Sequence, residues 1–193
     1  MLEKLSSPLI LASNSPRRKQ ILTEAGIKFT TLVKEIDEFY PIEILPTNVP
    51  EFLAHKKAKS YSIESENNII LTSDTVVILE NEILGKPENE IQAKEMLCKL
   101  SEKKHTVITG ICFNYKNNLI TYSDTADVYF KSLSKTEIEY YVSLYRPLDK
   151  AGAYGIQEWI GMIGIEKING SYFTVMGLPI HLVYDILKTK FSN

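Results

Sequence analysis

Ser13, Ser15, Arg17, Arg18 and Lys19 follow directly on the apolar run Leu9 to Ala12. Two hydroxyls and three cations at that spacing suit the binding of a polyanion. Ser15 has the character of a helix N-cap, and Pro16 suits the first helical position, where its missing N–H is no loss. Cations in a first turn oppose the helix dipole, which favours Asp or Glu there. A phosphate held by N–H groups, hydroxyls and arginines together would relieve that repulsion. Taken locally, the pattern fits equally well a solvated surface with its arginines pointing into water. The common phosphate loops, G-x-x-x-x-G-K-[ST] and G-x-G-x-x-G, do not occur in the chain.

Asp74 follows the apolar run Ile69 to Thr72. A carboxylate there is either a hydrogen-bonded turn residue or an active-site group. Asp37 and Glu38 form a second acidic pair in a loop. Together with Asp74 they could hold magnesium, which takes one or two carboxylates plus water and phosphate oxygens. Lys56 and Lys57 lie in a helical pattern beside Ala54 and Ala58, where lysines are ordinarily exposed. Lys86 sits in Gly85-Lys86-Pro87, where glycine permits close backbone approach and proline stiffens the chain. It is either part of a tight turn or a point charge for a phosphate. In the loop Asp149 to Gln157, small residues would let a ligand approach the backbone. The Gln157 amide both donates and accepts, as reading a base edge requires. His55, His105 and His181 are scattered, and no Ser-His-Asp or Cys-His set suggests itself.

Composition narrows the classes. The chain has 193 residues, 44% hydrophobic and 24% charged, with a formal net charge of −2. That balance is ordinary for a globular protein and argues against general nucleic-acid binding, which needs a basic face. Cys98 and Cys112 make no metal spacing and read as buried free thiols. The N-terminal Met1-Leu2-Glu3-Lys4 begins no long apolar h-region, and no apolar run approaches membrane length. A cytoplasmic protein with no membrane partner is expected, built as a single domain over residues 1–193.

The elements that must position these groups alternate between strand and helix, which predicts an α/β fold. Strands are expected at Leu9 to Ala12, Phe29 to Glu35 and Ile69 to Thr72, the last ending at Ser73-Asp74-Thr75 or else continuing through Val76 to Leu79. Helices are expected at Pro16 to Ala25, Pro50 to Ser62 with Asn48 as cap, and Glu90 to Leu100. The β patterns His105 to Tyr115 and Leu119 to Phe130 form a hairpin across Lys116-Asn117-Asn118. Ser134 and Glu137 make a capping box that opens a helix to Tyr145. Two short strands flank the Asn169-Gly170 turn, and Pro179 opens the last helix. Ligands of such sheets sit at carboxyl ends of strands, where Ser13 and Asp74 are both expected.

Six separated motifs occur in one order: Leu11-Ala12-Ser13-Asn14-Ser15-Pro16-Arg17-Arg18, Ser73-Asp74-Thr75, Gly85-Lys86-Pro87, Asp149 to Gln157, Asn169-Gly170-Ser171-Tyr172 and Met176-Gly177-Leu178-Pro179. The set resembles the Maf family of nucleoside triphosphate pyrophosphatases, named for septum-formation inhibition. The resemblance implies an elongated mixed β-sheet flanked by helices, with two lobes around a central cleft, similar to inosine triphosphate pyrophosphatases. It implies hydrolysis of a nucleoside triphosphate to the monophosphate and pyrophosphate, a divalent metal cation (magnesium or manganese), and a homodimer.

The resemblance also implies roles. Asp74 is the general base. Ser13, Arg17, Arg18, Lys57 and Lys86 bind substrate phosphates, and Glu38 and Asp74 bind the metal. Arg17, Thr75 and Gln157 match positions that separate substrate branches. Thr after the aspartate and Gln in Gly-Ile-Gln are similar to the branch acting on dTTP and UTP. The sister branch, acting on 7-methyl-GTP, usually has Gln after the aspartate. One departure stands out: Glu158-Trp159-Ile160-Gly161 replaces the small residues that often follow Gly-Ile-Gln. A nucleotide-binding regulator of cell division is the alternative outside enzymes.

Overall fold

The computed structural model describes residues 4–192. Met1, Leu2 and Glu3, part of the N-terminal stretch read above for an h-region, and Asn193 lie outside the described residues. The elements run β1 (Leu9–Leu11), α1 (Pro16–Glu24), β2 (Thr30–Thr31), α2 (Val49–Lys59), β3 (Ile69–Leu79), β4 (Glu82–Leu84), α3 (Glu90–Leu100), β5 (Lys104–Tyr115), β6 (Asn118–Phe130), α4 (Lys135–Tyr145), α5 (Trp159–Gly164), β7 (Ile165–Asn169), α6 (Tyr172–Met176) and α7 (Ile180–Lys190). The strands form a mixed seven-stranded sheet in the order β2-β1-β3-β5-β6-β7, with β4 paired to β3. The expected α/β class is therefore the observed one. The chain divides into two compact units, one of Met1–Asp74, Thr109–Asp124 and Gly177–Asn193, the other of Thr75–Ile108 and Thr125–Met176.

In the first unit, β1 runs parallel to β3 in the register Leu9↔Ile69, Ile10↔Ile70, Leu11↔Leu71. All six side chains are buried. An apolar run without alternation suits such a strand, covered on both faces. Helix α2 lies against β5 with little between them. A Cβ on Gly110 would sit 2.4 Å from the carbonyl carbon and oxygen of Pro50, so only glycine permits that approach. Ala54, Ala58 and Cys112 continue the seam as a buried cluster. Polar bonds fix it: Thr72 Oγ1 donates to Ala54 O at 2.7 Å, and Asn114 Nδ2 donates to Ala58 O at 3.0 Å. Helix α2 is thus held in one register on the sheet, which sets where Lys57 points.

The second strand is shorter than expected, two residues instead of Phe29 to Glu35. The Tyr61 hydroxyl explains this. It accepts from Lys34 N–H at 2.8 Å and donates to Leu32 O at 3.2 Å, so a side chain replaces the ladder. The Lys116-Asn117 turn is as expected, with both residues at positive φ (52° and 61°). Cys112 is buried but Cys98 is exposed, which corrects the reading of two buried thiols. Cys98 faces solvent because Ala93, Met96, Leu97 and Leu100 form the buried stripe of α3.

In the second unit, β3 turns into β4 through Glu80 and Asn81, both at positive φ (50° and 72°). The capping box at Ser134 and Glu137 is present and opens α4. Only one strand borders Asn169-Gly170, not two. β7 precedes it, and then Ser171 O accepts from Thr174 N–H at 3.1 Å and starts α6. Gly170 (φ 128°) lies so close to β6 that a Cβ would fall 2.7 Å from Ala126 Cα.

Candidate active site

Strand β3 does not stop at Ser73-Asp74-Thr75. It runs unbroken through Leu79, so Asp74 is an interior strand residue, correcting the strand-end expectation. The β1 ladder covers Ile69 to Leu71 and the β4 ladder covers Val77 to Leu79, and Asp74 lies between them. Its neighbours keep the strand extended because their hydroxyls find partners sideways. Thr72 bonds Ala54 O, and Ser73 Oγ donates to Gly177 O at 3.0 Å.

Successive side chains of a strand alternate faces. Asp74 therefore shares the Thr72 face, toward α2. There Lys57 Nζ lies 2.5 Å from Asp74 Oδ1 and 2.7 Å from Glu38 Oε1. The Lys57 side chain is 15% exposed and that of Asp74 12%. Lys57 is thus not an ordinary helical surface lysine: its ammonium lies where two carboxylates converge. Asp37 stands apart from them. Its Oδ1 accepts from Phe39 N–H at 2.9 Å, which holds its carboxyl below the ordinary range, and its Oδ2 lies 3.4 Å from Lys56.

Arg18 closes the other side. Its Nε donates to Gly177 O at 2.8 Å, and its Nη1 donates to Ser73 O at 2.8 Å and Ser13 Oγ at 3.3 Å. Burial lowers this guanidinium's pKa, opposed by the nearby charge of Asp74, then lowered further by Arg17 and opposed by Glu38. Ser15 is the N-cap of α1 by position, but its side chain makes no cap bond. The neighbouring hydroxyl serves instead: Ser13 Oγ accepts from Ser15 N–H at 3.2 Å. Ser13 is buried and Arg17 half-buried. The first unit thereby gathers Ser13, Arg18, Glu38, Lys57 and Asp74 into one charged network. Gly177, whose carbonyl receives both Arg18 and Ser73, carried no role in the sequence reading. A backbone acceptor has no side chain to betray it.

Thr75, Lys86 and Gln157 belong to the second unit. Thr75 follows Asp74 on β3 and is half-buried, on the opposite strand face. Lys86 comes after Gly85, just beyond β4, and is exposed. Gln157 lines a cavity of about 440 Å³ with Ile156, Met162, Ile165 and Tyr172. Its Oε1 is buried without a hydrogen-bond partner. Among the described residues, no group of three or more His, Cys, Asp or Glu is placed to hold a metal ion.

Against this geometry, residues 8–190 match the family of Maf-like proteins. The chain belongs to the Maf family. A Maf relative from Phocaeicola vulgatus, named dTTP/UTP pyrophosphatase, is 47% identical over 97% of this chain and 99% of its own. One from Bacteroides thetaiotaomicron with the same name is 44% identical over 93% and 94%. Among solved structures, the Staphylococcus aureus Ham1 protein is similar to 64% of the Maf chain, over 72% of its own, with a TM-score of 0.47 and 11% identity.

Proposed function

We infer that this Maf protein is a hydrolase that converts dTTP and UTP to the monophosphate and pyrophosphate. The relatives' shared activity supports the reaction. The observation that carries the site is the convergence of Asp74 and Glu38 on Lys57, flanked by Arg18 and Ser13. Binding alone would need cations. A mostly buried carboxylate among them is suited to accepting a proton from water.

The reaction is in-line attack of water on the α-phosphorus with pyrophosphate leaving. Negative charge spreads over phosphate oxygens in the transition state, so charge neutralisation and positioning dominate. Arg17, Arg18, Lys57 and Lys86 supply the positive charge. Lys57 has three N–H donors and can hold both carboxylates while donating to a phosphate oxygen. Ser13 Oγ accepts two hydrogen bonds, which directs its hydroxyl hydrogen outward as a donor. Asp74 takes the proton of the attacking water.

The acidic pair also fits a divalent cation. Both donors are hard carboxylates brought together at Lys57, and each has a second oxygen besides the one that meets the ammonium. Glu38 and Asp74 would hold magnesium or manganese, completed by phosphate oxygens and water. Bound there, the metal neutralises phosphate charge and makes water more acidic.

Gln157 and Thr75 select the pyrimidine. The unpartnered Gln157 Oε1 supports this, because such a group rejects any base that leaves it unpaired. The chain acts as one pyrophosphatase domain over residues 1–193, as a cytoplasmic homodimer. Among the described residues, no helix is long and apolar enough to cross a membrane.

The test is pyrophosphate release from dTTP, UTP, dCTP, CTP, GTP and 7-methyl-GTP, with magnesium, with manganese and with chelator. Metal-dependent release mainly from dTTP and UTP is expected. Release mainly from 7-methyl-GTP would overturn the roles of Thr75 and Gln157 while keeping the chemistry. Binding without release would make the protein a nucleotide-binding regulator.

A further inference from the structure

Gln157 occupies a corner of a tight turn. Glu158 N–H donates to Gly155 O at 3.0 Å, closing four residues with Ile156 and Gln157 at the bend. The same two end residues are gripped a second time by one side chain of α4. Gly155 N–H donates to the Tyr141 hydroxyl at 3.0 Å, and that hydroxyl donates to Glu158 Oε2. Lys150 Nζ reaches Glu158 Oε1 at 3.2 Å and Asp149 Oδ1 at 2.7 Å. Tyr141 is fully buried, and the Lys150 and Glu158 side chains are 9% and 19% exposed, so the bonds of Tyr141 and Lys150 to Glu158 are largely shielded from water. Burial and the Glu158 charge push the Tyr141 hydroxyl well above its ordinary value, which keeps it a donor. The fit is close: a Cβ on Gly155 would lie 2.7 Å from Glu158 Cδ.

A turn needs one hydrogen bond to close. This one has a buried, charge-assisted relay across both its ends, in the departure from the family pattern noted at Glu158. The relay anchors the turn backbone and leaves only the Gln157 side chain to choose its direction. We propose that Tyr141 and Glu158 are positioning residues for pyrimidine selection, clamping the Gly155–Glu158 turn so that Gln157 meets the base at a fixed point. This rests on the reading of Gln157 as the base-selecting residue. Polar discrimination depends on donor and acceptor meeting in register, so loosening the turn weakens selection before it weakens hydrolysis.

The experiment compares wild type with Tyr141→Phe, Glu158→Gln and Glu158→Ala. Kinetics with UTP and CTP are measured together with hydrogen exchange at the Gly155 amide. In Tyr141→Phe and Glu158→Ala, the preference for UTP over CTP in kcat/KM falls about tenfold, the scale of one lost hydrogen bond. The loss comes from a raised KM for UTP, and exchange at Gly155 accelerates. Glu158→Gln retains an acceptor for Tyr141 and keeps more of the preference. A purely structural role would lower both nucleotides in parallel, and that result overturns the proposal. So does an unchanged preference in Tyr141→Phe, which deletes one oxygen and keeps the ring packing if Glu158→Ala fails to fold. If wild type releases no pyrophosphate from UTP, the functional reading fails. Exchange at Gly155 then judges the clamp alone: an unaccelerated amide in Tyr141→Phe refutes it.

Discussion

Asp74→Asn separates the chemistry of the site from its stability. Asparagine keeps the shape of the side chain, and its Oδ1 still accepts from Lys57. Lys57 also retains Glu38 at 2.7 Å, so its ammonium is not stranded. Stranding a buried charge costs about 3–5 kcal/mol. With a second carboxylate in place, the loss is about 1–2 kcal/mol, which for a chain of 193 residues lowers Tm by roughly 3–6 °C. Activity behaves differently. A positioned proton acceptor contributes about 10²–10⁴-fold to rate, so kcat for UTP falls by that factor. Pyrophosphate release at saturating UTP, beside a melting curve of the same sample, measures both. Turnover within about threefold of wild type would remove Asp74 as the proton acceptor. Lys57→Met is the control, since it leaves two carboxylates facing each other. Its Tm falls further than that of Asp74→Asn, and the reverse order would refute the ion-pair reasoning.

Other expectations follow from the same geometry. Arg18→Lys keeps the charge but cannot serve Gly177 O, Ser73 O and Ser13 Oγ together; it costs about 2–3 kcal/mol in denaturant titrations and lowers kcat/KM. Gly110→Ala drives a methyl into the Pro50 backbone, lifts α2 and with it Lys57, and destabilises by about 3 kcal/mol, readable as a Tm loss accompanied by lost turnover. His105 is buried against Phe130, with its Nε2 at 2.8 Å from the Tyr154 hydroxyl. Burial lowers its pKa from 6.5 to about 4, with Asp127 opposing. Between those values the unfolded chain binds a proton that the folded chain refuses, so stability is full above pH 6.5 and declines as pH falls toward 4. The gap is worth roughly 3 kcal/mol. Melting curves from pH 7 to pH 4 show that slope, and His105→Gln flattens it.

Where local chemistry decides structure, the sequence is readable. The Ser134–Glu137 capping box, the Pro16 and Pro179 helix starts and the Lys116-Asn117 turn each depend on residues a few positions apart, and each is where the pattern puts it. Where partners come from far along the chain, it is not. Ser73-Asp74-Thr75 reads as a strand end because three polar residues interrupt an apolar run. The strand continues because α2 and Gly177 satisfy the hydroxyls of Thr72 and Ser73. The segment after Phe29 alternates like a strand, yet Tyr61, remote in sequence, takes its backbone bonds.

The candidate site divides the same way. Ser13 and Arg18 were visible as a motif, and Asp74 as a carboxylate beside an apolar run. The convergence of Glu38 on Lys57 was not, since nothing local distinguishes Lys57 from Lys56. The small neighbours Ala54 and Ala58 were the available sign, because they let α2 settle onto the sheet and turn one lysine inward. The clamp on Gln157 was invisible for a similar reason. Tyr141 lies 14 residues before Gly155 in a helix whose pattern explains it as core.

Arg18 fastens Ser13 in its own segment to Ser73, 55 residues away, and to Gly177, 159 residues away. Such a knot cannot be tied early. During synthesis the guanidinium leaves the ribosome 159 residues before the last carbonyl it needs. Until then a lone cation and a scatter of acids have no shared frame. A chain that stops before Gly177 would therefore hold no organised phosphate site, however much of the sheet had formed. Arrival of Gly177 is what switches the site on.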